Sequence, residues 1–312
     1  FGRKTLRRWG EVMAKTRIEW AEVVWNPVSG CTPISEGCQN CYAKRMANRL
    51  RGRCGYPADE PFKVTLHEDR LGEPLRWKKP RRVFVCSMGD LFHESVPESW
   101  ILAVYTAMEK CPQHTFLLLT KRIHIAAEVL NKFTGRSWPL PNVWLGVTAE
   151  NQQRADERIP ILLQIPAAVR FVSIEPMLGP VNLNFIGFDG VRPISAFGRC
   201  SYHTHLYKTE CLCNSPRSVG IDWVICGGET GPGARPMHPE WVRSLRDQCQ
   251  AAGISFFLKS WGEYCFPSQM PEETYQALQD RYNLDVEIPW KVGKKAAGRI
   301  LDGQIWDEMP EI

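Results

Sequence analysis

Seven short apolar runs, each followed by a polar or charged cluster, constrain the fold of this chain more than any other feature. They cover residues 23–26, 83–86, 116–119, 143–147, 169–174, 223–226 and 254–258. Each is brief, rich in β-branched or aromatic residues and apolar on successive positions, as expected of parallel strands covered on both faces. Helical segments fall between them. Pro97 opens one, with Trp100, Ile101, Val104, Tyr105 and Met108 as its apolar stripe. Pro239 opens another, with Trp241, Val242, Leu245 and Cys249 inward and Gly253 as the C-terminal stop. Repeated βα units predict an α/β fold with a parallel sheet of the TIM type, either a complete (β/α) barrel or a partial one of six or seven strands. A doubly wound open sheet is the competing arrangement, and periodicity alone does not separate the two.

The residues directly after the runs carry the chemistry. The first run leads through Trp25-Asn26-Pro27 into a cysteine-containing loop. The others end in Ser87-Met88-Gly89-Asp90, Thr120-Lys121-Arg122, Thr148-Ala149-Glu150-Asn151, Ser173-Ile174-Glu175-Pro176, Gly227-Gly228-Glu229-Thr230 and Lys259-Ser260-Trp261-Gly262-Glu263. Parallel α/β folds gather such ends on one face, where loops build an active site. Lys121 and Arg122 suit a carboxylate or phosphate, Glu175 an amine contact or proton transfer, and Glu229 an amine or ribose hydroxyl. Lys259 and Trp261 offer a charge and a stacking surface. An internal network of ion pairs across the mouth would use the same residue types. His93 and His238 near strand ends read as structural histidines.

In the first loop Cys31, Cys38 and Cys41 stand at C-x6-C-x2-C spacing among Gly30, Pro33, Ser35 and Gly37. Three thiols this close can hold three corners of an iron–sulfur cluster and leave one iron open for chemistry. A zinc site completed by a distant fourth ligand, or a redox Cys-x-x-Cys pair with a spare thiol, would use the same residues. The loop is expected to enter a helix near Cys41, whose N-terminal dipole favours thiolate. Lys44, Arg45, Arg49, Arg51 and Arg53 follow, as a solvated face or as a grip on the phosphates of a nucleic acid or nucleotide.

A chain of 312 residues suffices for one large α/β domain with appendages. Residues 1–12 read as a basic leader or extension, 13–265 as the barrel domain and 266–312 as a C-terminal appendage. An irregular insertion spans about 187–219. It holds Cys200, His203, His205, Cys211 and Cys213, candidate ligands of a small structural zinc site. In the tail Trp290, Lys291, Lys294, Lys295 and Arg299, with Lys78, Lys79, Arg81 and Arg82 upstream, fit either phosphate contact with base stacking or solvated surface. No run of apolar residues is long enough for a membrane span, and the basic start lacks the apolar core of a secretory signal. In a long chain with no export signal, the 12 cysteines point to metal binding and buried thiols, and to a cytoplasmic location. The net charge of +5 permits an anionic partner.

Taken together, several segments resemble a three-cysteine-motif family first noted in phage genomes. They are Thr16-Arg17-Ile18-Glu19-Trp20, Trp25-Asn26-Pro27, Gly30-Cys31, Cys38-Gln39-Asn40-Cys41-Tyr42-Ala43, Ser87-Met88-Gly89-Asp90-Leu91-Phe92, Leu118-Leu119-Thr120-Lys121-Arg122, Trp144-Leu145-Gly146-Val147-Thr148, Ser173-Ile174-Glu175-Pro176-Met177, Gly227-Gly228-Glu229 and Lys294-Lys295-Ala296-Ala297-Gly298-Arg299. Some members are associated with a separate partner protein. More remotely, the family is similar to radical S-adenosylmethionine (SAM) enzymes. That resemblance implies a [4Fe–4S] cluster on Cys31, Cys38 and Cys41, SAM on the fourth iron, and an electron donor. It further implies cleavage of SAM to a 5′-deoxyadenosyl radical that abstracts hydrogen from a substrate; the basic segments point to a nucleic acid or nucleotide as that substrate. The cofactors carry that chemistry, and the protein supplies position and exclusion of water.

Three features depart from the usual radical-SAM pattern. The common spacing is C-x3-C-x2-C, and this loop is longer by three residues. Asn40 stands where an aromatic usually precedes the third cysteine, and Tyr42 follows it instead. The glycine-glycine-glutamate grip on SAM normally follows the second strand, where this chain has Ser87 to Asp90. By position Gly89 and Asp90 are assigned to SAM, with Tyr42, Thr120 and Lys259 as further cofactor contacts. Glu175, Lys121 and Glu229 are the candidate catalytic residues. The alternative is an iron–sulfur or zinc protein that binds nucleic acid or a partner without SAM chemistry.

Overall fold

All seven apolar runs become strands of one parallel sheet. In the computed structural model they are β1 (Val23–Trp25), β2 (Arg82–Val85), β3 (Thr115–Thr120), β4 (Val143–Thr148), β5 (Val169–Ile174), β6 (Trp223–Gly227) and β7 (Ser255–Ser260). The structure describes residues 16, 18–133, 138–188, 193–198, 220–269, 272–282 and 288–311. The strands lie side by side in chain order, and every neighbouring pair is parallel. A doubly wound sheet reverses its order at a switch point. This one never reverses, so the architecture is a half-barrel of the TIM type, open between β1 and β7.

The helices among the described residues are α1 (Tyr42–Arg49), α2 (Glu98–Glu109), α3 (Ile123–Lys132), α4 (Gln152–Gln164), α5 (Pro239–Ala252), α6 (Glu272–Tyr282) and the single turn α7 (Lys294–Ala297). α2 buries Ile101, Val104, Tyr105 and Met108 as expected, but Pro97 sits at its N-cap rather than inside the first turn. Gly253 ends α5 in the left-handed region at φ 69°, where glycine is favoured. α1 ends at Arg49, so Arg51 and Arg53 lie in the turn beyond it and donate to the carbonyls of Ala58, Asp59 and Arg49.

Strand parity divides the core in two. Val83, Val85, Phe116, Leu118, Leu145, Val147, Val172, Val224, Phe256 and Leu258 face the helices and join one large cluster with Ile101, Ile123, Ile159 and Leu245. The alternate positions Leu117, Trp144, Phe171, Trp223, Ile225 and Phe257 face the inside, packed with Trp20. Trp223 meets Trp144 edge to face with ring centroids 5.8 Å apart. A Cβ on Gly146 would lie 2.5 Å from the Phe171 ring, so glycine is what admits that ring. This aromatic floor blocks the lower lumen and leaves the polar strand ends as the open end.

Two peripheral segments add to the sheet. At the start of the insertion Ile186–Phe188 pairs antiparallel with Pro193–Ile194. The C-terminal segment clasps the edge of β7. Leu258 N donates to Trp306 O at 2.9 Å, Glu308 N to Phe256 O at 3.2 Å, and Phe257 bridges Asp307 antiparallel. Covering an edge strand removes a template for unwanted pairing.

Candidate metal centre at the strand ends

The cysteine loop leaves β1 through Gly30, whose φ of 85° and proximity to Lys63 exclude a side chain: a Cβ there would stand 2.1 Å from Lys63 O. Gly30 N donates to Met88 O at 2.9 Å, and a Cβ on Gly89 would meet Gly30 O at 2.8 Å. Gly89 thus lets the β2 end lie flat beneath the loop. A 3-10 turn, Glu36–Cys38, follows, and Cys41 is the N-cap residue of α1. All three thiols are free and partly buried.

The loop is held on one side by the end of β3. Arg122 is only 1% exposed. Its Nη1 donates to Cys31 Sγ at 3.2 Å, and its Nη2 to Thr32 O at 3.0 Å and Thr32 Oγ1 at 2.9 Å. Its Nε donates to both Glu94 carboxylate oxygens at 3.0 Å. Asp90 supports this guanidinium at 3.5 Å while accepting from Thr120 Oγ1 at 2.8 Å, Phe92 N at 3.0 Å and Lys121 N at 3.3 Å. Burial, reinforced by the Asp90 charge, pushes the Cys31 thiol up to about 11, against the pull of Arg122.

Lys121 reaches the middle of the loop. Its Nζ pairs with Glu150 and lies 3.3 Å from Ser35 Oγ and 3.8 Å from Cys38 Sγ. Glu150, 0% exposed, also accepts from Ser35 and from Arg158 Nη1 at 2.9 Å. Burial raises the Cys38 pKa, but Lys121 and donors from Ile34 and Ser35 outweigh it, and the thiol ends below its ordinary value. Burial likewise opposes ionisation of Glu150, and Lys121 with Arg158 reverses the balance.

The other side is tied to β6 and α4. Glu229 accepts from Asn40 Nδ2 at 3.0 Å and from Arg235 N, Nε and Nη2 at 2.9, 2.9 and 2.7 Å. Arg235 Nη2 also donates to Glu36 O at 3.0 Å. Arg154 grips the Glu36 carboxylate with Nη2 at 2.9 Å and Nε at 3.1 Å, holding its pKa down to about 2. A Cβ on Gly228 would fall 2.0 Å from Trp261 O, which explains the glycine directly before Glu229.

Glu175 and Lys259 form an ion pair across β6, over Gly227, whose Cβ would lie 3.4 Å from both side chains. Tyr42 is 57% exposed beside Cys41. Trp261 is no stacking surface: it is buried with its indole N–H on Ile300 O at 2.8 Å. The basic tail is partly spent internally, with Lys294 on Glu19 at 2.8 Å and Arg299 4.8 Å above the Phe257 ring. Cys200, His203, His205, Cys211 and Cys213 lie outside the described residues. Among the described residues no three His, Cys, Asp or Glu side chains gather at single-ion spacing. Zinc in the loop would need thiolates about 3.8 Å apart, given Zn–S bonds of about 2.3 Å and tetrahedral angles.

Glu150 stands among the strand-end residues of the sequence without an assigned role, and Arg154, Arg158 and Arg235 carry no signal that singled them out there. Strand parity flags the first: Trp144, Gly146, Thr148 and Glu150 form one inward series. The i, i+4 spacing of Arg154 and Arg158 places both on one face of α4.

The chain belongs to the family described as "Protein of unknown function (DUF5131)", whose profile matches residues 15–310. No curated protein matches it significantly. Among solved structures it is similar to a Cys-to-Ser mutant of spore photoproduct lyase, with 11% identity and a TM-score of 0.40, over 90% of this chain and 67% of that one. A second is a double mutant of the same lyase with bound AdoMet and dinucleoside spore photoproduct, with 12% identity and a TM-score of 0.39, over 90% and 66%. Among the described residues no helix is long and apolar enough to cross a membrane.

Proposed function

We propose that this protein is a radical-SAM-like iron–sulfur enzyme in which Cys31, Cys38 and Cys41 hold a [4Fe–4S] cluster and SAM is the co-substrate. The observation that carries the reading is the clamped loop: three partly buried thiols at the strand ends of a half-barrel, fixed by buried side chains from β3, β4 and β6. The donor set fits a cluster, because three free, partly buried thiols on one loop can take three irons and leave the fourth open. Such a cluster with bound SAM supplies one-electron chemistry that ends in hydrogen abstraction.

The chain's own residues position and enclose. Arg122 orients Cys31, with Asp90 and Thr120 holding Arg122 from below. Glu229, through Asn40, fixes the segment between Cys38 and Cys41. Glu175, Lys121 and Lys259 present charge at the inner strand ends, and the aromatic floor keeps water from entering below. The substrate class is a nucleic acid or nucleotide, favoured by exposed Tyr42, Lys44 and Arg49 on the helix that starts at the cluster loop. An external donor supplies the electron.

Anaerobic reconstitution with iron and sulfide, then dithionite and SAM, is expected to yield 5′-deoxyadenosine. Cluster-loaded protein that neither binds nor cleaves SAM would refute the SAM assignment. One observation favours a second reading, a cluster-carrying nucleic-acid or partner-binding protein: Asp90 and Glu229 are both saturated by internal donors. Salt-dependent nucleic-acid binding that survives loss of the cluster supports that reading.

A further inference from the structure

Two consecutive residues at the end of β3 approach two different cysteines. Arg122 Nη1 donates to Cys31 Sγ at 3.2 Å, and Lys121 Nζ lies 3.8 Å from Cys38 Sγ. Neither cation is free to swing away. Arg122 is fixed by Thr32, Glu94 and Asp90, and Lys121 by Glu150 and Ser35. Cys41 is itself the N-cap residue of α1, and its thiol makes no capping hydrogen bond. Both side chains are largely withdrawn from water, at 1% and 18% exposure, where charge interactions are weakly screened.

Donors and positive charge at ligating sulfurs favour the more negative, reduced form of a cluster. One-electron reduction adds one negative charge while the two cations stay in place. We propose that Lys121 and Arg122 are positioning residues that set the reduction potential of the cluster, each acting through a single cysteine. The inference rests on the cluster reading above and adds the residues that tune it.

The test is an anaerobic redox titration of reconstituted wild type, Lys121→Gln and Arg122→Lys, followed by electron paramagnetic resonance, with iron counted in each sample. Lys121→Gln removes the charge near Cys38 yet keeps a donor for Glu150, which Arg158 continues to neutralise at 2.9 Å. At a fixed potential its reduced fraction is expected to be about tenfold lower at unchanged iron content, a fall of about 59 mV for one electron. Arg122→Lys keeps a charge but loses the fork, and is expected to fall in the same direction by less. Variants that hold full iron and titrate with wild type overturn the inference while leaving the cluster standing. If Arg122→Lys loses the cluster, Lys121→Gln decides; loss of the cluster there too makes the residue structural and overturns the inference. Wild type that takes up no iron instead overturns the cluster reading, and iron counting separates the two failures.

Discussion

Gly37, one residue before Cys38, tests whether the cysteine loop is seated on the barrel as described. A Cβ at this position would stand 2.4 Å from Glu150 Oε1, 2.5 Å from its Cγ and 2.8 Å from its Cδ. Ordinary contact begins near 3.4 Å, so the two must part by about 1 Å. Glu150 cannot retreat freely, because it is fully buried and held by Arg158, Lys121 and Ser35. Either that buried network stretches or the turn carrying Cys38 lifts away. Overpacking costs about 1–3 kcal/mol, and disturbing a buried ion pair pushes towards the upper end. Gly37→Ala is therefore expected to destabilise the fold by about 2–3 kcal/mol, lowering Tm by roughly 3–5 °C in a chain of 312 residues. It is also expected to reduce iron uptake on reconstitution. Gly72→Ala is the control, since nothing lies within 4 Å of its Cβ. Thermal melting of the two variants beside wild type, with iron counting, reads both effects. If Gly37→Ala melts with Gly72→Ala and takes up as much iron, the loop does not sit on Glu150.

Three further outcomes follow from buried charges and thiols. Burial, with Arg70 nearby, pushes His67 down to about 4, so the unfolded chain binds the extra proton below pH 6.5; stability is complete above pH 6.5 and falls by up to about 3 kcal/mol towards pH 4. Urea midpoints across this range should lose that component in His67→Gln, and an unchanged slope contradicts the assignment. Cys38, lowered by Lys121 against its burial, should be alkylated at least about tenfold faster at pH 7.5 than Cys31, which burial raises to about 11; equal rates by peptide mass spectrometry count against the two-cation geometry. Arg158→Met strips a buried partner from Glu150 and should cost about 3 kcal/mol, whereas Arg154→Met on the more exposed Glu36 should cost about 1 kcal/mol or less; chemical denaturation distinguishes them, and equal losses refute the burial argument.

The strands were legible because burial on both faces writes an uninterrupted apolar run into the sequence. Their order was not, since nothing in the residues 143–147 or 169–174 says which run lies beside them. The edge clasp at Asp307 was hidden for a similar reason: it rests on a single bridge and a few backbone bonds to β7, with no periodicity of its own. At the site, Cys31, Cys38 and Cys41 and the strand-end charges could be read from spacing and position. Their partners could not, because Arg235 reaches Glu36 O across 199 residues and Arg122 reaches Cys31 across 91. Trp261 was misread because a tryptophan beside a lysine looks alike whether it faces a ligand or, as here, donates to a distant carbonyl.

If Cys31, Cys38 and Cys41 hold a four-iron cluster with one iron left open, Mössbauer spectroscopy of the reconstituted protein, with and without SAM, reads that open iron. A [4Fe–4S] spectrum is expected in which about one iron in four changes when SAM is added, lost when any of the three cysteines becomes alanine and retained in Cys54→Ala. A spectrum of isolated iron, or a four-iron spectrum indifferent to both SAM and the three cysteines, would contradict the cluster reading.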